Sequence, residues 1–284
     1  MYNLRYHIAS LVAVFVALAV GLLLGSIVSE AGVISSQRTA LVAGLQAEFD
    51  ALRGDAKTLA TTNEALSSFA ADAVPSIVSG VLAGRTVVVI ASPDDADTAA
   101  RASEAVRLAG GSVAVATFTG PGLSLGDASV MAAVAKDLGV STGSVDTTRV
   151  MDALASEWST ATATRPVTKA LVSSGGLKLE GLTATQTVSG TAVTAVFDGK
   201  PDPWAIRLAS AMVGSTRFAV GVDTTGHVGG SAQAAKAAGL SGVDDVDTSL
   251  GRVSFAWVLS GRASGLFGES TDATARFPSP LFAK

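Results

Sequence analysis

Thr86–Ala91 reads TVVVIA, and Ser92-Pro93-Asp94-Asp95 follows at once. The apolar, β-branched run is a strand. Ser-Pro-Asp behind it is a helix start, since Ser can cap free amides and Pro is pre-set for the first helical position. An Ala-rich helix to about Ala109 follows, Gly110-Gly111 ends it, and residues 113–119 form a second strand. Residues 85–119 therefore have the proportions of a βαβ unit, whose two strands run parallel. Further helices are predicted over 127–138, 147–159 and 202–213, and strands over 191–197 and 217–222. This alternation predicts an α/β domain with a mainly parallel sheet across residues 84–270. Residues 253–259 (VSFAWVL) fit either a strand or a helix capped by Thr248 or Ser249. Residues 271–284, with Pro278 and Pro280 near the end, read as a C-terminal tail.

Pro75, Gly80 and Gly84 separate this domain from the segment before it. There Leu45, Leu52, Leu59 and Leu66 recur every seven residues. Taken as d positions, they put Val42, Phe49, Ala56 and Asn63 at a, the seam of a short coiled coil within 38–74. Glu48 at g and Arg53 at e meet across a parallel dimer, and a single Asn at a favours two strands in register. The other reading is one amphipathic helix lying on the following domain, because Gly44, Gly54 and the small Ala56 weaken a zipper.

Residues 8–28 read IASLVAVFVALAVGLLLGSIV, 21 residues without a charge. As a helix this run is about 30 Å long, the hydrocarbon thickness of a bilayer. A cleavable signal peptide is the competing reading, with Ser29-Glu30-Ala31 as the cleavage site. The run exceeds the usual apolar limit of about 15 residues, however, and only Arg5 precedes it, so a retained transmembrane helix is preferred. Arg5 and the terminal amine then mark residues 1–7 as a cytoplasmic tail and place the rest outside the cytoplasm. Ala9, Ala13, Ala17, Gly21 and Gly25 recur every four residues, and Gly21 and Gly25 form GxxxG. Steps of four drift by about 40° around a helix, so Ala17, Gly21 and Gly25 are the part that can form one helix–helix contact. Such a contact is parallel, as the heptads also require.

Composition removes several classes of function. The 20 basic and 24 acidic residues of the 284 give a net charge of -4, which argues against a nucleic-acid partner. With no Cys, four Met and two His, the chain has no disulfide, thiolate metal site, CxxC pair or cysteine nucleophile. Absence of Cys is compatible with export. Because 48% of residues are hydrophobic and only 5% aromatic, the apolar content is largely small side chains.

Motifs for chemistry are few. The first βα turn carries carboxylates, ASPDD, where a dinucleotide fold needs bare backbone donors, and no Walker A sequence or HExxH occurs. Residues 122–126 (GLSLG) match GxSxG, with His227 as the available base for Ser124, but Pro121 and the glycines make a loop and not a strand-to-helix elbow. Asp244, Asp245 and Asp247 form the densest acidic cluster. They lack the ligand spacing of a calcium loop and fit turn and N-cap chemistry better. His227, between Gly226 and Gly229-Gly230, is expected in an exposed turn and makes no metal site alone. A non-enzymatic protein without a cofactor is the expectation, and its metal ligands, if any, stay unassigned.

Three blocks together carry a resemblance: LRYHIASLVAVFVALAVGLLLGS at 4–26, LAGRTVVVIASPDD at 82–95 and VDDVDTSLGRVSFAWVL at 243–259. In them the chain resembles the actinobacterial MctB-like family nearly end to end. The resemblance implies a one-span, coiled-coil envelope protein of copper transport and copper homeostasis, placed for mycobacterial relatives in the outer membrane. It also implies a different role, since a corynebacterial relative is linked to cell separation with a membrane partner. It favours a helix over residues 248–260. Where the family carries Gly-His-Tyr-Gly, this chain reads Gly265-Leu266-Phe267-Gly268, which removes one imidazole. Copper carriers use Cys, Met or His, so copper is expected here as a transported ion handled indirectly or by an oligomer.

Overall fold

The computed structural model describes residues 4–30, 33–161, 164–183, 185–214, 217–226 and 230–279. The chain divides into two units, residues 1–66 and 67–284.

The first unit is helical. Helix α1 (Leu4–Glu30) contains the apolar stretch Arg5–Ile27, long enough to cross a membrane and exposed along its length. Helix α2 (Val33–Val78) runs for 46 residues, through Gly44, Gly54 and Pro75. Each Gly costs about 1 kcal/mol against Ala, a penalty the remaining good helix formers absorb. Its last turns belong to the second unit, where Val74 and Val78 are buried with Leu82. Ala70, Ala73 and Ile77 continue the a and d register and are half-buried there. Below Leu66 the seam face is thus partly covered by the chain's own domain.

The second unit is the α/β domain. Strand β1 (Thr86–Ala91) passes through a 3-10 turn at Pro93–Asp95 into α3 (Ala96–Leu108), and β2 (Ser112–Phe118) completes the expected βαβ unit. Next come α4 (Ala128–Leu138), α5 (Thr147–Ser159), α6 (Pro166–Ser173) and β3 (Leu177–Glu180). Strand β4 (Gly190–Val193) is followed by a small hairpin of β5 (Val196–Phe197) and β6 (Lys200–Pro201), then by α7 (Pro203–Met212) and β7 (Phe218–Val222). The chain ends through α8 (Ser231–Ala237), β8 (Ser241–Val243), α9 (Ser249–Ser260) and β9 (Leu266–Phe267). The predicted strand over 191–197 is two short strands in different sheets: the Thr194 amide still bonds Ile90 O, and beyond it Val196 bonds the Ser92 hydroxyl and the chain turns into the hairpin. Residues 253–259 are helix, with the Thr248 hydroxyl accepting the Gly251 amide as the N-cap.

The main sheet has the order β3-β2-β1-β4-β7-β8-β9, parallel except for β3 against β2. All six residues of β1 are buried, as an inner parallel strand requires. Their side chains alternate: Val88 and Ile90 enter a core with Met151, Leu154, Trp158, Leu171 and Leu208, while Val87 and Val89 enter a second with Val106, Phe255 and Leu259. Burying each such side chain contributes about 1.5–3 kcal/mol. Helices α3 and α9 cover one face, and α4 to α8 the other.

Handedness follows from these faces. The α3 crossover moves one way along the sheet and the α7 crossover moves the other way on the opposite face, so both have the same hand. The α9 crossover moves in the α7 direction on the α3 face. It is of opposite hand to the others, a rare left-handed connection. It delivers β9, which pairs with β8 at only two positions, Gly242–Leu266 and Val243–Phe267.

Candidate functional site

Ligands of open parallel α/β sheets lie beyond the C-terminal strand ends, where the strand order reverses. In this domain that point lies between β1 and β4, and the chain itself fills it. Ser92 Oγ donates to the Val196 carbonyl at 2.5 Å and accepts the Val196 amide at 3.1 Å. The Thr194 amide donates to Ile90 O at 2.9 Å, and Ser92 and Thr194 are fully buried. The ASPDD turn and the β5–β6 hairpin thus close the crevice a dinucleotide would occupy.

Two strands away, the acidic loop takes a specific form. Gly221-Val222-Asp223 at the end of β7 and Gly242-Val243-Asp244 at the end of β8 are the same tripeptide, paired in register as Gly221–Gly242 and Val222–Val243. Each tripeptide ends in a buried Asp that grips the amides of a following segment. Asp223 accepts from Ser231 and Ala232 at the start of α8, at 3.0 and 2.8 Å. Asp244 accepts from Glu269 and Ser270 beyond β9, at 2.7 and 3.1 Å. Asp247 accepts the amide and hydroxyl of Thr225, both at 2.8 Å, and Asp245 accepts the Thr248 hydroxyl at 3.1 Å. These carboxylates bind backbone and hydroxyl groups, the turn and N-cap chemistry expected of them. Asp223 was not singled out from the sequence, although the repeated Gly-Val-Asp is a signal that points to it.

Asp245 differs from its neighbours. It is 2% exposed, and its Oδ1 meets no hydrogen-bond donor of the protein. Burial pushes its carboxyl up to about 6, opposed by the Thr248 hydroxyl and reinforced by Asp244, Glu269 and Asp247.

The GxSxG residues occupy a 3-10 turn, Gly122–Ser124, with Leu123 and Ser124 at φ 56° and 59°. Asp202, missed as a site residue although expected at a helix start, holds this strained turn by accepting the Gly122 and Leu123 amides at 2.9 and 3.3 Å. Ser124 Oγ accepts the Gly120 amide at 2.9 Å and donates to Gly176 O at 3.0 Å, at the floor of a cleft of about 330 Å³. Its hydroxyl is engaged by backbone, and its expected base His227 lies outside the described residues.

On the helices, the expected contact residues lie at the surface. In α2, Val42, Leu45, Phe49, Leu52, Leu59 and Leu66 are 50–70% exposed, and Ala56 and Asn63 are exposed with them. Arg53 reaches Asp50 within its own helix at 3.8 Å. On α1, Ala17, Gly21 and Gly25 line shallow apolar grooves. Of the soft ligands, Met151 and Met212 are core residues and Met131 is half-buried. Among the described residues no three of His, Cys, Asp and Glu gather as a metal site.

An apolar helix of membrane-spanning length, a long helix and a doubly wound α/β domain together define a membrane-associated α/β protein. The family model for MctB, the copper transport outer membrane protein, matches residues 1–278, and the chain belongs to that family. Membership carries a role in copper transport and homeostasis, and the family's description points to the outer membrane or envelope. No curated protein and no solved structure matches the chain significantly.

Proposed function

We infer that this chain serves copper homeostasis as a parallel homodimer, anchored by α1 with residues 1–7 in the cytoplasm and its α/β domain outside. Copper is the cargo of the system and not a resident cofactor of this domain. The observation that carries the dimer is the seam of α2: four leucines at heptad spacing with Val42 and Phe49 stand exposed on a single chain, which water disfavours. Lysine at both Leu52 and Leu59 should abolish crosslinking of two copies in membranes. Undiminished crosslinking refutes the seam as the contact.

A second reading is a non-enzymatic scaffold that recruits an envelope or cell-separation partner. The sealed crevice at Ser92 and Val196 supports it, because the place where such sheets bind small ligands is filled by the chain itself. Deleting the gene separates the two. Copper hypersensitivity with normal septation supports copper handling, whereas chained cells with normal copper content support the scaffold.

A further inference from the structure

The buried Asp245 carboxylate is the feature that the acidic loop's cap chemistry leaves unused. One oxygen accepts from Thr248, and the other, Oδ1, is shut in between two glycines. A methyl group added at Gly251 would stand 2.5 Å from Oδ1; one added at Gly268 would stand 3.0 Å from it and 1.8 Å from Asp244 Oδ1. Gly268 therefore lies directly on both carboxylates. Every titratable neighbour on the elements packed here is acidic or already paired. Asp244 grips Glu269 and Ser270, Asp247 holds Thr225, and Asp223 holds the start of α8. Glu269 pairs with Arg276 at 2.6 Å, Arg101 of α3 pairs with Asp97 at 2.9 Å, and Arg252 of α9 reaches Glu104 of α3 through Nη2 at 3.6 Å while its buried Nε meets no acceptor.

The segment lying on this pair is weakly held by its ladder. Strand β9 has two pairing positions and arrives by the left-handed connection. Its other ties are the Asp244 grip, the burial of Leu266 and Phe267, the Gly265 amide donated to the Ser241 hydroxyl, and the return of Thr274 and Ala275, which bond the backbone of Leu266 and the Gly268 amide. An ionised Asp245 beside ionised Asp244, with no cation to share, is relieved by lifting Gly268 away and admitting water.

We propose that Asp245 is a proton-controlled latch: protonated, it lets Gly268 to Ser270 close over the acidic pair, and ionised, it drives that loop and the C-terminal segment behind it to open. The occupant of the site is a proton, bound at Asp245 Oδ1, the oxygen left without a donor.

Amide hydrogen exchange of the full-length protein in detergent at pH 5 and pH 7, corrected for intrinsic rates, tests the latch. Residues 266–276 should exchange faster than β1 at both pH values. Their protection should fall about tenfold from pH 5 to pH 7, the factor expected when the carboxyl titrates near 6 closed and near its ordinary value open. Asp245→Asn, isosteric and uncharged, should show no such fall. A wild type with equal protection at the two pH values overturns the proposal, as does the same fall in Asp245→Asn. Exchange of 266–276 only at the rate of β1 also overturns it, because the loop would have no opening of its own. A carbon-13 titration of Asp245 in the wild type guards against a misfolded variant, and a midpoint at the ordinary Asp value would likewise refute the latch.

Discussion

Glu157 and Thr168 bind each other twice: the carboxylate accepts the Thr168 amide at 3.0 Å and its hydroxyl at 2.7 Å. It also accepts the Val167 amide at 2.7 Å, and Trp158 Nε1 donates to the Thr168 hydroxyl at 3.1 Å. A side chain near the end of α5 thus caps the start of α6, whose own N-cap residue, Arg165, makes no side-chain cap bond. Glu157→Ala should lower stability by about 1.5–3 kcal/mol, the range for charged hydrogen bonds with buried partners left behind. Urea unfolding checks it, and an unchanged midpoint would show α6 to be capped by other means.

Asn63 sits at a in the exposed seam of α2. A polar a residue specifies two strands in register at a cost in stability. In the proposed dimer, Asn63→Leu should therefore raise the melting temperature of the coil and broaden the oligomer distribution beyond two copies. Analytical ultracentrifugation in detergent reads the outcome, and an unaltered distribution would remove Asn63 from the account.

Asp245 also sets a pH dependence of global stability. Its folded carboxyl is raised to about 6, so the folded state binds the proton more tightly than the unfolded chain. The resulting stabilisation is fully present below the unfolded value near 4 and is lost as pH rises through 6, in all about 2–3 kcal/mol. Asp245→Asn should flatten the profile between pH 4 and 6.5 and melt above the wild type at pH 7.5. A variant that melts lower at pH 7.5 would mean that the ionised carboxylate has a partner.

Copper titration addresses the cargo. The full-length protein in detergent should show no tight, stoichiometric site for Cu(I) or Cu(II), because the described Met residues are core or half-buried and no three of His, Cys, Asp and Glu gather among the described residues. A tight one-to-one site would show that residues scattered in the sequence converge outside the described positions.

The legible parts of the fold are those whose signal is local. The buried run TVVVIA and the helices expected over 127–138 and 147–159 are read from neighbours in sequence, and the structure keeps them, the first helix starting at Ala128 with Asp127 as its cap. Strands β3, β8 and β9 are two to four residues long and gain their stability from partners far along the chain, so no periodicity announces them. The break after Thr194 has the same origin, since Val196 there bonds the hydroxyl of Ser92, 104 residues away. The acidic cluster was visible as a cluster. That Asp244 reaches forward to Glu269 and Ser270, while Asp245 is left with a free oxygen, depends on the left-handed return of β9, which residue spacing does not encode.

The placement of sulfur in this chain has a chemical consequence. It has no thiol, and among the described residues the thioethers of Met151 and Met212 are enclosed and that of Met131 is half-covered. Thiols and exposed thioethers are the groups that oxidise first, and copper ions cycling with oxygen hasten that damage. Among the described residues, the half-covered thioether of Met131 is thus the one sulfur this domain presents to such oxidation.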